Sequence, residues 1–555
     1  MQRLLSQLSH QALQLACRRA DRRFRQARDQ LEQVQRQRLS EVLSQACLPE
    51  GWASPSSYEQ FAQQIPLTRY SDWRSGIEAM RAGQAPLTHS PIVRYQPTSG
   101  SSERIKFIPY TKAFLAELDG AIGPWLSSMY RLYPKLKSGQ HYWSVSWLPE
   151  SQRELLKDEN LNDDSALLSV SKKILSAYTQ AVPADIAFAA GADDALFATL
   201  CFMLAQRDLS MISVWSPTFA LQLLNHLPEW ITEACQVLAT GQWQQRQAAL
   251  GMIKPPYAPQ RAEQLLNIVV DCQTTNTALD LLRVWPNLAL VSAWDTAGAA
   301  AWAKQLQARL PHAAFEGKGL WATEGVVTFP YDGQYPLAYH SHFYEFEDLQ
   351  DGTIKPSWAL KQGDLVSPII SGGNGLLRYC LDDCLLVKEF FGQVPCFEFQ
   401  GRRFGVDLVG EKLDPSLATQ ALQVVVRVAQ DIQLPLRPVS LLAINTTDSG
   451  TAGAAPITPY YLGVFEGDAS ITQAQQALWA TQLDQALRQS FHYELARDLG
   501  QLASPQVLVV ADGWATYKSL AMRAGMIEGN IKPEPLKQID YAVLRDMQDN
   551  VNECV

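Results

Sequence analysis

Between Thr98 and Lys106 the chain sets four hydroxyl side chains, Thr98, Ser99, Ser101 and Ser102, around Gly100 and closes the run with a lysine. Small hydroxylated residues let backbone N–H and side-chain O–H donors converge on phosphate oxygens. The terminal lysine adds a compact positive charge. A solvated Ser/Thr turn has the same composition, and the run lacks the G-x-x-x-x-G-K-[ST] spacing of the commonest phosphate loop. G-x-G-x-x-G, G-x-S-x-G and H-E-x-x-H are also missing, which argues against nucleotide-fold dehydrogenases, serine esterases and zinc peptidases. On composition alone the turn is the better reading; phosphate binding is the sharper one.

The loop needs strands to hold it. Ile92–Tyr95 and Lys106–Pro109 read as strands on either side, and Thr111 is a fitting N-cap for the long helix that follows. Residues 1–47 read as helical and Ser54–Ser90 as short helices. To about residue 400, strand-like runs at Met211–Trp215, Ile268–Val270 and Leu288–Ser292 alternate with helical stretches, predicting parallel α/β architecture. After Leu360 the pattern turns β-rich, at Leu365–Ile370, Cys384–Lys388 and Phe397–Phe399. Beyond a polar, glycine-containing stretch at Gly401–Lys412, a small α+β domain is expected: helices at 415–432 and 471–499, and strands near 439–444, 460–466 and Val507–Val510.

Size and composition bound the partners. A chain of 555 residues is expected to form two or three domains. A formal net charge of −9, with no basic aromatic-rich stretch, argues against nucleic acid. The run Arg18, Arg19, Arg22, Arg23 and Arg25 reads as the solvated face of a helix. No segment approaches the roughly 18 apolar residues of a membrane span. The nine scattered cysteines fit reduced thiols in a cytoplasmic enzyme, and Cys380, Cys384 and Cys396 do not form a metal-ligand spacing.

With these residues in place, the sequence resembles the GH3 family of acyl-acid amido synthetases, bacterial branch, within the adenylate-forming superfamily. Thr98–Pro109 is similar to the family's T-S-G-T-S-G-x-x-K-x-I-P motif, and Phe61, Ile65–Thr68, Tyr70, Asp72 and Gly83 resemble its approach. Gly317–Gly325 resembles G-K-G-L-x-A-T-E, Phe343–Phe346 resembles F-[FY]-E-F, and Gly375–Asp383 resembles G-L-Y-R-Y-R-L-G-D. Gly401-Arg402 with Asp407–Leu413, and Gly529–Pro533, resemble the hinge and closing segments. Glu103 and Asp382 stand where the family has glycine, and Cys380 where it has arginine. These departures leave open an unusual substrate or altered adenylation.

The resemblance implies a large N-terminal adenylate-forming α/β domain with a β-rich subdomain (residues 1–400), a hinge (401–414) and a small mobile α+β C-terminal domain (415–555). It implies ATP and Mg²⁺, a small-molecule carboxylic acid and an amine or amino acid as partners, in a monomer or homodimer. A role in natural-product or hormone-conjugate synthesis follows by analogy only. Thr98, Ser99, Gly100, Ser101, Ser102 and Lys106 are expected to bind the phosphates. Glu324 is expected to hold Mg²⁺, with Thr323 donating to the α-phosphate. Asp383, with Asp382 as rival, is expected at the ribose, and Trp321 and Tyr344 at the adenine or acyl wall. Arg402 is expected at the turning point, and Lys532, or its rival Lys412, at the α-phosphate. Trp125, Met129, Trp215 and Phe219 are expected to line the acyl pocket. The rival readings are transfer to a thiol such as coenzyme A, and a non-catalytic acyl- or nucleotide-binding protein.

Overall fold

In the computed structural model the described residues are 2–49, 51–52, 54–98, 106–145, 147, 177–296, 299–403, 405–406, 408–409, 411, 413–445, 458–468, 471–498, 500–524, 526 and 531–545. They form two compact units: one from the described residues of Met1–Thr98 and Ile105–Gln400, the other from those of Gly401–Val555.

The first unit opens with α1 (Gln2–Gln26) and α2 (Leu31–Gln45), within the stretch expected to be helical, followed by α3 (Tyr58–Gln64) and α4 (Tyr70–Arg81). The basic run of α1 is solvent-exposed, while Phe24 and Cys17 on its other face are fully buried. Strands β1 (Ile92–Thr98) and β2 (Lys106–Thr111) pair antiparallel, with Thr98 opposite Lys106. The chain then enters α5 (Lys112–Leu132), and the Thr111 hydroxyl caps it by accepting from the Phe114 N–H. Such a cap is worth about 1 kcal/mol.

A four-stranded parallel sheet follows, ordered β3 (Gln140–Trp143), β4 (Leu209–Ser213), β5 (Leu290–Ser292), β6 (Ala314–Glu316). Its crossovers include the helices Ala192–Ala205, Pro217–Thr240 and Pro259–Thr274. Ile268–Val270, expected as a strand, lies inside the last of these. Ala262, Leu265, Ile268 and Cys272 are buried there at helical spacing, and that period outweighs the β-branched triplet.

Next comes the short hairpin β7 (Trp321–Ala322) and β8 (Gly325–Val326), whose two turn residues are Thr323 and Glu324. A second sheet runs β10 (Ile354–Pro356), β9 (Phe343–Asp348), β11 (Leu365–Ser371), β13 (Asp383–Phe391), β14 (Val394–Arg402), with β12 (Tyr379–Cys380) on β11. Buried aromatic residues of β9, including Phe343, Tyr344 and Phe346, join Phe24, Phe61 and Phe114 in one apolar core.

The second unit is a four-stranded mixed sheet ordered β17 (Gln506–Val510), β16 (Tyr460–Glu466), β15 (Arg437–Asn445), β18 (Leu536–Asp540). The helix Pro415–Asp431, expected at 415–432, buries Ala418, Leu422, Val425 and Ala429 along one face. The expected helix at 471–499 divides into Gln473–Leu487 and Phe491–Asp498. No helix among the described residues is long and apolar enough to cross a membrane.

Candidate active site

The register of β1 and β2 places Thr98 and Lys106 as the posts of the hydroxyl loop. Ser99, Gly100, Ser101, Ser102 and Glu103 lie outside the described residues, as do Lys412, Gly529 and Asn530, and of Thr98 only the backbone is described. Lys106 projects its ammonium 5.6 Å from the Tyr70 ring, and the Tyr70 hydroxyl accepts from the Phe107 N–H at 2.9 Å. Tyr70 belongs to the approach segment read from sequence, so α4 is tied directly to the strand that carries the lysine.

Thr323 and Glu324 stand on the β7–β8 turn, which is held from several sides. The Tyr110 hydroxyl on β2 donates to the Thr323 carbonyl (3.1 Å), and the Tyr344 hydroxyl donates to the Val326 carbonyl (2.6 Å). The Val326 N–H donates to His342 Nε2 at 3.2 Å, so the ring's proton is on Nδ1, facing Glu117 at 2.8 Å. Glu117 also accepts from the Gly373 N–H (2.9 Å), and Thr111 Oγ1 donates to the Gly373 carbonyl (2.8 Å). A Cβ on Gly325 would come within 2.9 Å of His342 Nε2, which requires glycine directly after Glu324.

Glu324 is half-buried and accepts from the Tyr379 hydroxyl at 3.2 Å. Burial pushes its carboxyl above the ordinary glutamate range, and the charge of Asp383 adds to the rise. Its own backbone, Tyr379 and Lys106 oppose it. Lys106, Tyr379 and Asp383 therefore all act on Glu324. The strand register also separates the two aspartates. Asp383 is buried, whereas Asp382 makes a 2.7 Å ion pair with Arg69 in which both side chains are nearly half-exposed. Asp383 is the one turned to the Glu324 turn.

Tyr344 is a correction. It has no exposed surface, and its hydroxyl is committed to the carbonyls of Val326 and Ala338, so it is a core residue bracing the turn and not a ligand wall. Trp321 is half-buried and lies 5.9 Å from Trp125, centroid to centroid. Trp125 and Trp215 come together on Lys318, whose ammonium lies 5.5 and 5.2 Å from their rings. Met129, one turn along α5, is 1% exposed and packs inward, and Phe219 is buried at the start of its helix.

In the second unit Arg402 and Lys532 both act on the half-buried Glu534. Burial alone would raise that carboxyl, but Lys537, Arg402 and Lys532 hold it below the ordinary range. The Lys532 carbonyl accepts from the Tyr517 hydroxyl at 3.1 Å.

Tyr110 and the Glu117–His342 pair were not read from the sequence, and Tyr379 was seen only as part of the Gly375–Asp383 segment. A lone tyrosine, or a histidine and a glutamate 225 positions apart, carries no spacing signal. Glu316 was missed as well. Burial pushes its carboxyl up to about 7, against hydrogen bonds from Trp125 and Tyr133 and the charge of Lys318. A raised acid favours the native state while protonated. Stability from this group is present below the unfolded value near 4.5 and is lost as pH rises through about 7. Glu316→Gln is accordingly expected to gain in denaturation midpoint relative to the parent at pH 8, and not at pH 4.5, in paired urea titrations.

Known proteins resemble the chain over most of its length. The GH3 family N-terminal domain matches residues 20–315 and the GH3 family central domain matches residues 335–402. The indole-3-acetic acid-amido synthetase GH3.15 of Arabidopsis thaliana is 21% identical over 380 residues, covering 62% of this chain and 63% of that protein, somewhat under two thirds of its length. A solved structure of the GH3.15 acyl acid amido synthetase superimposes with a TM-score of 0.72 at 17% identity, over 94% of each chain. A second, in complex with 2,4-DB, gives 0.73 at 17% identity over 97% of this chain and 96% of that one. The family models span more than half of the sequence in the order the motifs predicted, and the chain belongs to the GH3 family.

Proposed function

We propose that this protein is an ATP-dependent amide ligase that activates a carboxylic acid as its acyl adenylate and passes the acyl group to an amine or amino acid. The observation that carries the reading is that Lys106, paired with Thr98 across β1 and β2, and Asp383 both act on the Glu324 carboxyl. The names of the GH3.15 relatives, amido synthetases acting on acids, support it.

Amide formation from a free acid in water is uphill, so the acid must first gain a leaving group. The acid's carboxylate attacks the α-phosphorus of ATP, pyrophosphate departs, and the acyl adenylate remains. The amine nitrogen then attacks the acyl carbon, AMP leaves, and the nitrogen loses a proton. Placed donors and charges carry most of such catalysis. Thr98, Ser99, Ser101, Ser102 and Lys106 would bind the β- and γ-phosphates, with Gly100 allowing close backbone approach. Thr323 would donate to the α-phosphate.

Asp383, an acceptor once ionised, would take hydrogen bonds from the ribose hydroxyls. Lys532 would neutralise the α-phosphate during adenylation and Arg402 would serve the domain turn, with Lys412 as the rival lysine. A carboxylate raised by burial and by a second carboxylate fits a divalent cation, which relieves both effects. Mg²⁺ prefers one or two carboxylates with phosphate oxygens completing its shell. Glu324 would hold it, and it would supply charge neutralisation at the phosphates.

Acid-dependent ATP–pyrophosphate exchange over a panel of aromatic, aliphatic and amino acids tests the reading, with chelation of the metal as a control. Exchange that disappears with EDTA is expected. Silence across the panel while ATP still binds would favour a binding protein, and product formation only with thiols would favour a coenzyme A ligase. Asp383→Ala is expected to raise KM for ATP about tenfold, the loss of a charged hydrogen-bond partner. Asp382→Ala should change it less than about twofold, because its exposed ion pair contributes little.

A further inference from the structure

We infer that the carboxyl edge of the parallel sheet is a specificity subsite for a flat aromatic acid carrying a hydroxyl at the end away from the carboxylate being activated. The inference rests on the acid-activating reading above and narrows its substrate class.

The register of the sheet aligns Trp143, Ser213, Ser292 and Glu316 in one row across β3 to β6. In parallel strands such a row shares one face, with neighbours about 4.8 Å apart. These are the last residues of their strands, and open α/β sheets bind ligands outside that edge. Trp125 of α5 reaches the row: its Nε1 donates to Glu316 at 3.3 Å and its ring lies 5.8 Å from that of Trp143.

Lys318 completes the row. It is 1% exposed, its ammonium donates to Ser213 Oγ, and Trp215, Trp125 and Trp143 surround it at 5.2, 5.5 and 5.7 Å. Beside Ser213, Ser292 is 1% exposed, and its hydroxyl has no hydrogen-bond partner among the described residues. Thr296 Oγ1, four residues past the end of β5 in a half-buried residue, is likewise without a partner among the described residues. Buried hydroxyls left unmatched are few in folded proteins. Here Ser292 sits at the sheet edge beside Ser213, the acceptor of a buried cation. Trp125 also touches Trp321, three residues before Glu324, so the cage is continuous with the wall leading to the proposed phosphate chemistry.

The charges choose among ligand ends. A second carboxylate would meet Lys318 but also Glu316 and Asp295, both held above their ordinary ranges chiefly by burial. A purely apolar end would offer nothing to the ammonium or to Ser292. A hydroxyl accepts from Lys318 and donates to a carboxyl or serine oxygen, and an aromatic ring packs against indole faces. A site built to bond a substrate hydroxyl discriminates strongly against the analogue lacking it.

The test is calorimetric titration of the full chain, without ATP, with three acids of one framework: 3-phenylpropanoate, 3-(4-hydroxyphenyl)propanoate and 3-(4-carboxyphenyl)propanoate. The hydroxy acid is expected to bind at least about tenfold more tightly than the unsubstituted acid. Lys318→Met and Ser292→Ala should each shrink that ratio without weakening 3-phenylpropanoate, a pattern that loss of structure would not give. Ser292→Ala carries the test alone if Lys318→Met does not fold. An unchanged ratio in the variants, tightest binding of the dianion, or no binding of any of the three overturns the inference. Binding of the hydroxy acid with no pyrophosphate exchange would leave the subsite standing and remove the ligase reading. Exchange with other acids but no hydroxyl preference would do the reverse.

Discussion

Glu324→Gln is expected to slow acid-dependent ATP–pyrophosphate exchange by about 10²–10³-fold, the usual effect of removing one preorganised electrostatic group at a reacting centre. The glutamine keeps the shape of the turn and can still accept from Tyr379, so the fold should be preserved. What is lost is the negative charge. In the apo protein that charge is disfavoured by burial and by Asp383, and Lys106 only partly offsets them. The same feature makes the site receptive to a cation, and the variant should need more Mg²⁺ to reach half its remaining rate. Calorimetry of ATP with and without Mg²⁺ separates the cases. A variant that exchanges at the parental rate, or that loses activity with no change in its Mg²⁺ requirement, would remove Glu324 from the metal-holding role.

Much of this site was legible because its parts are short and local. A hydroxyl-rich loop between two strands, a Thr N-cap and alternating apolar runs are signals within about a dozen residues. They led to β1, β2, α5, half of the described strands of the first unit and three of the four in the second. The Ile268–Val270 assignment failed because three β-branched residues are consistent with a strand or with a helix, and only the buried positions along Pro259–Thr274 distinguish them. The supporting residues were not legible, for a different reason. Tyr110, His342 and Glu117 work through contacts made by the folded chain. Nothing in their sequence neighbourhoods marks a histidine as holding the strand after Glu324. Lys318 shows the middle case: its motif was visible, but its burial among three tryptophans was not.

The motif residues do not all serve chemistry, and Arg378 gives the largest stability effect of those described. Its guanidinium makes two hydrogen bonds to Glu345 (2.8 and 3.0 Å), while Nη1 donates to the carbonyls of Ala62 and Ile65. Arg378 and Glu345 are 5% and 1% exposed in their side chains. The Arg378 carbonyl also accepts from the Thr68 N–H, so this residue joins the approach segment Ile65–Thr68 to the strands β9 and β12. Its backbone sits at φ +45°, a left-handed conformation that side chains adopt only when the surroundings enforce it.

Arg378→Met is expected to cost about 3–5 kcal/mol, because it leaves Glu345 buried and uncompensated. Glu345 is already raised by burial and held down mainly by Arg378, so in the variant it should take up a proton. That sets the sign of the pH effect. With its folded value raised further, the variant keeps its stability at low pH and loses it as pH rises, so the gap from the parent widens between pH 5 and pH 8. Adding Glu345→Gln should recover much of the loss, since a neutral amide no longer strands a charge. Urea denaturation of the parent, the single variant and the double variant at the two pH values measures all of this. A loss that is equal at both pH values and untouched by the second substitution would mean that Arg378 acts through the Ala62 and Ile65 carbonyls and not through its carboxylate partner.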